Sequence, residues 1–322
     1  VGQLVATKLD RTAPLWEIWL IEGLEGGRVA TLTKIHHSIV DGASGTDLAT
    51  LLLDLEPDPE PEPEPPPFHP AAGPSRLQLA TAVAGSALTW PIRPGRFTQQ
   101  TVSQGVTMVR HSLRDAAPVQ AFQAPRTPFN GRLTPRRSFA CSAASLAEAK
   151  EVKRAFDVKL NDVVLATVGG ALRSYLLNLG ELPDDPLIAQ VPVSLRTEAD
   201  RDEVGTKVGA MFASMATDLE DPVERLRAIH DSTESAKEMY HEISSAHQVN
   251  LTDTMAPAVI SLLARAYISA GLEGRTPPVF NLIVSNVPGP PFDLYLAGAR
   301  VEAMYPMGPL LYGSGVNCTV LS

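Results

Sequence analysis

Seven consecutive residues, His36-His37-Ser38-Ile39-Val40-Asp41-Gly42, concentrate more proton-transfer chemistry than any other stretch of the chain. Imidazole titrates near neutrality and either takes or gives a proton. The run therefore offers a general base or, if His36, His37 and Asp41 converge, a metal site. The residues before it, RVATLTKIHH (28–37), alternate apolar and polar side chains and read as a strand. Successive side chains on a strand point to opposite faces, so His36 and His37 should diverge. Divergence weighs against a shared ion and for one imidazole presented where the strand ends. Two ordinary histidines at a strand end remain the plain alternative. Asp41 and Gly42 then shape the turn, Asp41 through hydrogen bonds or an arginine partner.

Three further positions carry polar chemistry beside apolar runs. Asn286 ends an apolar run at Ser285-Asn286-Val287-Pro288-Gly289-Pro290, where it either donates an amide hydrogen bond to an oxyanion or simply begins a turn. Asn161 and Asp162 open NDVVLATVGGALRSYLLNLG (161–180), and their types suit capping and positioning a helix beside a cleft better than chemistry, with Asn161 as N-cap and Gly180 as stop. There is no GxSxG signature of a serine nucleophile. Cys141 and Cys318 make neither a disulfide framework nor a metal spacing, which favours a reducing, cytoplasmic setting.

The elements that must hold these residues read as α/β. LWEIWLIEG (15–23) and RVATLTKIHH form a hairpin, and a helix opens at Gly42-Ser44. Asp54–Ser75, DLEPDPEPEPEPPPFHPAAGPS, alternates glutamate with proline and should be an extended linker between lobes. Helices follow at 76–90, 97–114, 146–157, 161–180 and 221–243, the last with Asp221 as N-cap, Pro222 at its first position and Glu224 at its third. A further helix covers MAPAVISLLARAYISAG. Strands are expected at 187–195, 207–217, 279–286, 299–306 and 315–321. This divides the chain into 1–53, the C-terminal part of a first lobe; 54–75, an acidic proline-rich linker; 76–137, a basic helical connection; and 138–322, a second lobe.

Composition sets the outer bounds. The 322 residues are 44% hydrophobic and 20% charged, a core-forming balance. The length suits two ordinary domains. A net charge of −9 argues against nucleic acid. The charge is uneven, since 76–137 holds nine arginines and one acid, Asp115; that net of +8 leaves −17 for the remainder. Such a segment suits an anionic lipid surface or coenzyme phosphates, or is a solvated basic face. No run reaches the roughly 18 apolar residues of a membrane span, so contact with a membrane or lipid bodies is expected to be peripheral. Val1 in place of methionine and an apolar run ending at Ser322 read as cut ends of a longer protein.

HHSIVDG resembles the active-site motif of the superfamily that includes chloramphenicol acetyltransferase and peptide-synthetase condensation domains. Pro14-Leu15-Trp16, the Asn161-Asp162 pair, VPVSLR (191–196) and SNVPGP (285–290) follow in the order of one family within it, the bacterial wax ester synthase/acyl-CoA:diacylglycerol acyltransferases, or triacylglycerol synthases. The resemblance spans nearly the whole chain. It implies two chloramphenicol-acetyltransferase-like lobes with mixed sheets and a substrate tunnel between them. Acyl-CoA enters as co-substrate, with no resident cofactor or metal, and diacylglycerol or a long-chain alcohol accepts the acyl group. His37 corresponds to the general base, His36 to a supporting residue, and Asp41 to an orienting residue for which Arg196 is a candidate partner. Gly42 completes the turn, and Asn286, Asn161, Asp162 and Arg196 are candidates for oxyanion or positioning roles. Trp16 would pack against the other lobe. Two rivals stand beside this reading: another HHxxxDG acyltransferase with a polar acceptor, and a non-catalytic lipid-binding paralogue.

Overall fold

In the computed structural model of the chain, residues 1–36, 52–60, 123–194, 208–246 and 277–322 are described, with a few isolated positions between them. A short helix α1 (Gly2–Ala6) precedes an antiparallel hairpin of β1 (Trp16–Ile21) and β2 (Ala30–Ile35), in register Trp16↔Ile35 to Ile21↔Ala30. Lys34 ties α1 to the hairpin, its ammonium donating to the carbonyls of Leu4 (3.2 Å) and Thr7. Period-2 alternation gives the hairpin two unlike faces. Leu32 is buried on one, while Trp16, Ile18 and Leu20 are exposed on the other. Trp16, expected to pack against the other lobe, is half-exposed.

The larger unit begins with α2 (Leu146–Phe156), whose N-cap Ser145 accepts from the Glu148 N–H at 3.3 Å. Next comes α3 (Leu160–Leu179), stopped by Gly180 at φ 69°, a left-handed position that costs glycine nothing. The start of α3 corrects the sequence expectation. Lys159, not Asn161, is the N-cap, and Asp162 at the third helical position accepts the Lys159 N–H at 3.0 Å. Only the carboxylate three residues into a helix reaches back to that amide.

Strands β3 (Ile188–Ser194) and β4 (Val208–Ser214) are antiparallel, from Ile188↔Ser214 to Ser194↔Val208. Helix α4 (Pro222–Ala246) starts as its sequence requires, with Asp221 accepting from the N–H groups of Val223 and Glu224, both at 2.8 Å. After it come β5 (Leu282–Val287), a two-residue hairpin of β6 (Tyr295–Leu296) and β7 (Ala299–Arg300), and β8 (Asn317–Leu321). The main sheet is mixed, ordered β4-β3-β5-β8, with β5 parallel to both β3 and β8.

Helices α3 and α4 cover one face of this sheet. Leu165, Leu176, Ile229 and Ala236 pack there on Ala189, Val191, Met211, Ala213, Leu282 and Val284. Burying a side chain such as Leu165 or Ile229 is worth about 1.5–3 kcal/mol. Gly169 lets α3 approach closely, since a Cβ there would lie 2.6 Å from the Met215 carbonyl oxygen. The strand expected over 299–306 shrinks to Ala299–Arg300. Among the described residues β7 has only β6 as a neighbour, and its last backbone bond to that side is from the Val301 N–H to the Leu294 carbonyl at 2.8 Å.

The acidic proline-rich segment does not leave the fold at its first residue. Asp54 and Tyr295 form an isolated antiparallel bridge, each N–H donating to the other's carbonyl at 2.8 Å. Leu55–Glu60 beyond it are exposed. Deleting Pro61–Glu64 from the Glu-Pro run should therefore leave the thermal midpoint unchanged and the acyl transfer that the resemblance implies within a few-fold. A collapse of activity in a folded deletion variant would make the run part of the site.

Candidate active site

The sequence-predicted residues fall into three places. His36 directly follows β2, and its backbone N–H donates to the Leu15 carbonyl at 2.9 Å, which extends the β1–β2 ladder by one residue. Strand alternation puts His36 on the Leu32 and Lys34 face. The first histidine of the motif is thus anchored at the end of a hydrogen-bonded strand. His37, Asp41, Gly42 and Arg196 lie outside the described residues, as do the helix expected at 97–114 and most of those expected at 44–55, 76–90 and 255–271.

Asp162 is fully buried at the junction of α3 and α4. One carboxylate oxygen faces His230 Nδ1 at 2.7 Å and also takes the Lys159 N–H. The other accepts the Thr233 hydroxyl at 2.8 Å. A buried carboxylate is tolerated when its lone pairs are this fully occupied. All of these partners come from α3, its cap and α4, so the capping and positioning role expected of Asp162 is the one its geometry suits. Outside this junction, Lys159 bonds Glu234 at 2.7 Å and Lys237 bonds Glu234 at 3.0 Å. The Lys159 ammonium holds the Glu234 carboxyl below the ordinary carboxylate range, and Glu234 in turn raises Lys159. Asn161 is half-buried beside this arrangement.

Asn286 sits near the end of β5, paired with Val320 of β8. Its side-chain oxygen accepts the Ser322 hydroxyl at 3.0 Å, which turns its amide NH2 away from Ser322 as the remaining donor. Alternation along β5 places Asn286 on the face of Leu282 and Val284, and Ser285 on the opposite one. Asp162 and Asn286 therefore occupy different layers, with no partner in common.

His230 and Thr233 were not singled out from the sequence, although a signal existed. Thr233 stands on the apolar stripe of α4 with Leu226, Ile229 and Ala236, and a hydroxyl there implies a buried acceptor. Asn281, just before β5, was missed as well. Its side chain accepts from the Ile188 N–H (2.8 Å) and donates to the Pro125 carbonyl (2.6 Å) and to Asn130 Oδ1 (2.7 Å). Asn130 donates in turn to the Gly313 carbonyl at 2.7 Å. This network ties the segment around 125–130 and the turn at 313 to the head of β5.

HHSIVDG, whose first histidine closes the β1–β2 ladder, resembles the motif of the HHxxxDG acyltransferases, and the comparisons narrow the class. The profile of the wax ester synthase/diacylglycerol acyltransferase catalytic domain matches residues 1–164, and that of the WS/DGAT C-terminal domain matches residues 204–322. A putative diacylglycerol O-acyltransferase of Mycobacterium tuberculosis strain H37Rv is 37% identical over 332 aligned positions, covering 100% of this chain and 63% of that protein. A probable diacylglycerol O-acyltransferase of the same strain is 35% identical over 329 positions, covering 100% of this chain and 69% of its own length. The solved wax ester synthase/diacylglycerol acyltransferase of Marinobacter aquaeolei VT8 superposes with a TM-score of 0.65 at 30% identity, covering 100% of this chain and 66% of that one. The chain belongs to the wax ester synthase/diacylglycerol acyltransferase family. It spans about 63% of the length of the first of these relatives.

Proposed function

We propose that the protein transfers a long-chain acyl group from acyl-CoA to the hydroxyl of diacylglycerol or a long-chain alcohol, giving triacylglycerol or wax ester and free CoA. One observation carries the reading: HHSIVDG directly follows a paired strand in a chain matched by both the catalytic and the C-terminal family profiles. An alcohol is a weak nucleophile near pH 7. A positioned base that takes its proton as oxygen attacks the thioester carbonyl supplies about 10²–10⁴ in rate. His37 takes that role, His36 and Asp41 orient the motif, and no acyl-enzyme or resident cofactor is required. The deciding assay supplies the full-length protein with labelled acyl-CoA, diacylglycerol and hexadecanol in parallel and identifies the ester formed. Transfer only to polar acceptors would favour the first rival, and lipid binding without transfer the second.

Among the described residues no helix is long and apolar enough to cross a membrane. Such acceptors partition into lipid, and the arginine-rich 76–137 segment has the charge for peripheral contact with an anionic lipid surface. Changing Arg93, Arg96, Arg110 and Arg114 to Gln is expected to weaken co-flotation with anionic vesicles and to flatten its salt dependence. Flotation that is unchanged and salt-independent in both proteins would discard the contact.

A further inference from the structure

Lysine is almost never buried unless its ammonium is paired. Lys34 is largely buried, its side chain 16% exposed, on the face of β2 that also carries Leu32 and His36. Its ammonium has three N–H donors to place. It bonds the carbonyls of Leu4 (3.2 Å) and Thr7 at the end of α1, and it faces the Glu17 carboxylate at 3.6 Å, directly across the ladder on β1. It also lies 5.5 Å from the centre of the Trp19 ring. Helix α1 has five residues and none of them is fully buried, so its attachment to the hairpin leans on these polar contacts.

The other end of α1 reaches beyond the hairpin. Gly2 lies so close to the Arg137 carbonyl oxygen that a side-chain carbon there would collide with it. Arg137 folds its own segment together, bonding the carbonyls of Thr134 and, at 2.8 Å, Arg136. Seven residues earlier, Asn130 donates to the carbonyls of Asn281 (3.1 Å) and Gly313 (2.7 Å), and the Phe129 carbonyl accepts the Gly315 N–H at 2.8 Å. Asn281 stands at the head of β5, the strand that carries Asn286. A continuous path of contacts therefore runs from the strand before HHSIVDG through Lys34, α1 and the 129–137 segment to the main sheet. The ion pair of Arg28 with Glu302, at 3.6 Å, spans the same two parts, but both side chains are more than half exposed and such a pair contributes little.

We propose that Lys34 is a positioning residue for acyl transfer. By holding α1 between β2 and the Arg137 segment, it sets where the strand end that bears HHSIVDG stands relative to the main sheet. The inference rests on the acyl-transfer reading above and adds a residue outside the motif on which the reaction depends. An apolar side chain could pack on Trp19 as the lysine stem does. What the ammonium adds is direction, because its partners are fixed backbone carbonyls. A reacting group displaced by about 1 Å can lose about 10²-fold in rate.

Lys34→Met keeps an apolar stem beside Trp19 and removes the ammonium. In the full-length protein it should lower turnover per folded molecule about tenfold or more and leave the KM for acyl-CoA within about twofold. Lys34→Arg, which still donates to carbonyls, should recover most of the loss. Gly2→Ala pushes α1 off Arg137 and should act alike. The double variant Gly2→Ala/Lys34→Met should lose no more than the larger single, since both cut one path. A merely structural role would lower the folded fraction and spare the turnover of what remains folded. A second measurement needs no activity. Because α1 lies against the Arg137–Ser138 peptide, trypsin should cut after Arg137 about tenfold faster in Lys34→Met than in the wild type, relative to cutting after exposed Arg132. Wild-type turnover in folded Lys34→Met, an unchanged cleavage ratio, or additive losses in the double variant would overturn the proposal. Should Lys34→Met misfold, Gly2→Ala decides by the same turnover and cleavage readouts. Faster cleavage after Arg137 in a protein that forms no ester would show the strut and remove the transfer reaction instead.

Discussion

His37→Ala is expected to lower ester formation by about 10²-fold or more while acyl-CoA binding changes little. In the proposed role the lost group acts only as the acceptor hydroxyl gives up its proton, so the deficit should fall on turnover and not on donor affinity. His36→Ala should differ in kind. The backbone of His36 extends the β1–β2 ladder through Leu15, and its side chain lies on the face of buried Leu32. Its removal should give a milder loss of turnover with a lower thermal midpoint. Asp41→Asn should fall between the two. CoA release and ester formation, followed together in all three variants, separate the outcomes. Equal loss at both histidines with rescue by added zinc would restore the metal reading, and near-normal ester formation in His37→Ala would end the general-base assignment.

Asp162→Ala carries the second large effect, on stability. It strands the Lys159 N–H, His230 Nδ1 and the Thr233 hydroxyl where α3 meets α4. Removing a buried acceptor of this kind costs about 3–5 kcal/mol. Denaturant unfolding should show a loss of that size with an unchanged slope. A double-mutant cycle with His230→Ala should return a coupling of at least about 1 kcal/mol. A loss under 1 kcal/mol would mean that the junction rearranges and that the buried carboxylate does not hold it.

Local chemistry was legible in the sequence where one segment contained both partners. Asp221 bonds amides two and three residues on, Ser145 an amide three residues on, and Gly180 stops α3 by its own φ. Asn161 shows the limit of such reading. Asn and Asp both suit a helix start, and the carboxylate at the third position fixed the cap at Lys159. At 299–306 alternation favoured a strand, but a strand needs a neighbour, and sequence pattern does not supply one. Long-range partners were invisible for the same reason. Asp162 and His230 stand 68 residues apart, and Asn130 and Asn281 stand 151 apart. Neither pair leaves a periodic trace. Pro192 was legible as a residue within VPVSLR, but its place in an interior strand is revealed only by the sheet order.

The bridge between Asp54 and Tyr295 bears on how the chain is born. Tyr295 follows Asp54 by 241 residues, and a ribosome adding 5–20 residues per second needs about 12–48 s to reach it. Through that interval Asp54 has no partner in the β6–β7 hairpin, and the two-stranded N-terminal hairpin is marginal on its own. Maturation is therefore C-terminally timed. A nascent chain arrested before Tyr295 should leave the backbone N–H and carbonyl of Asp54 unpaired, and only a chain extended past it can close that bridge.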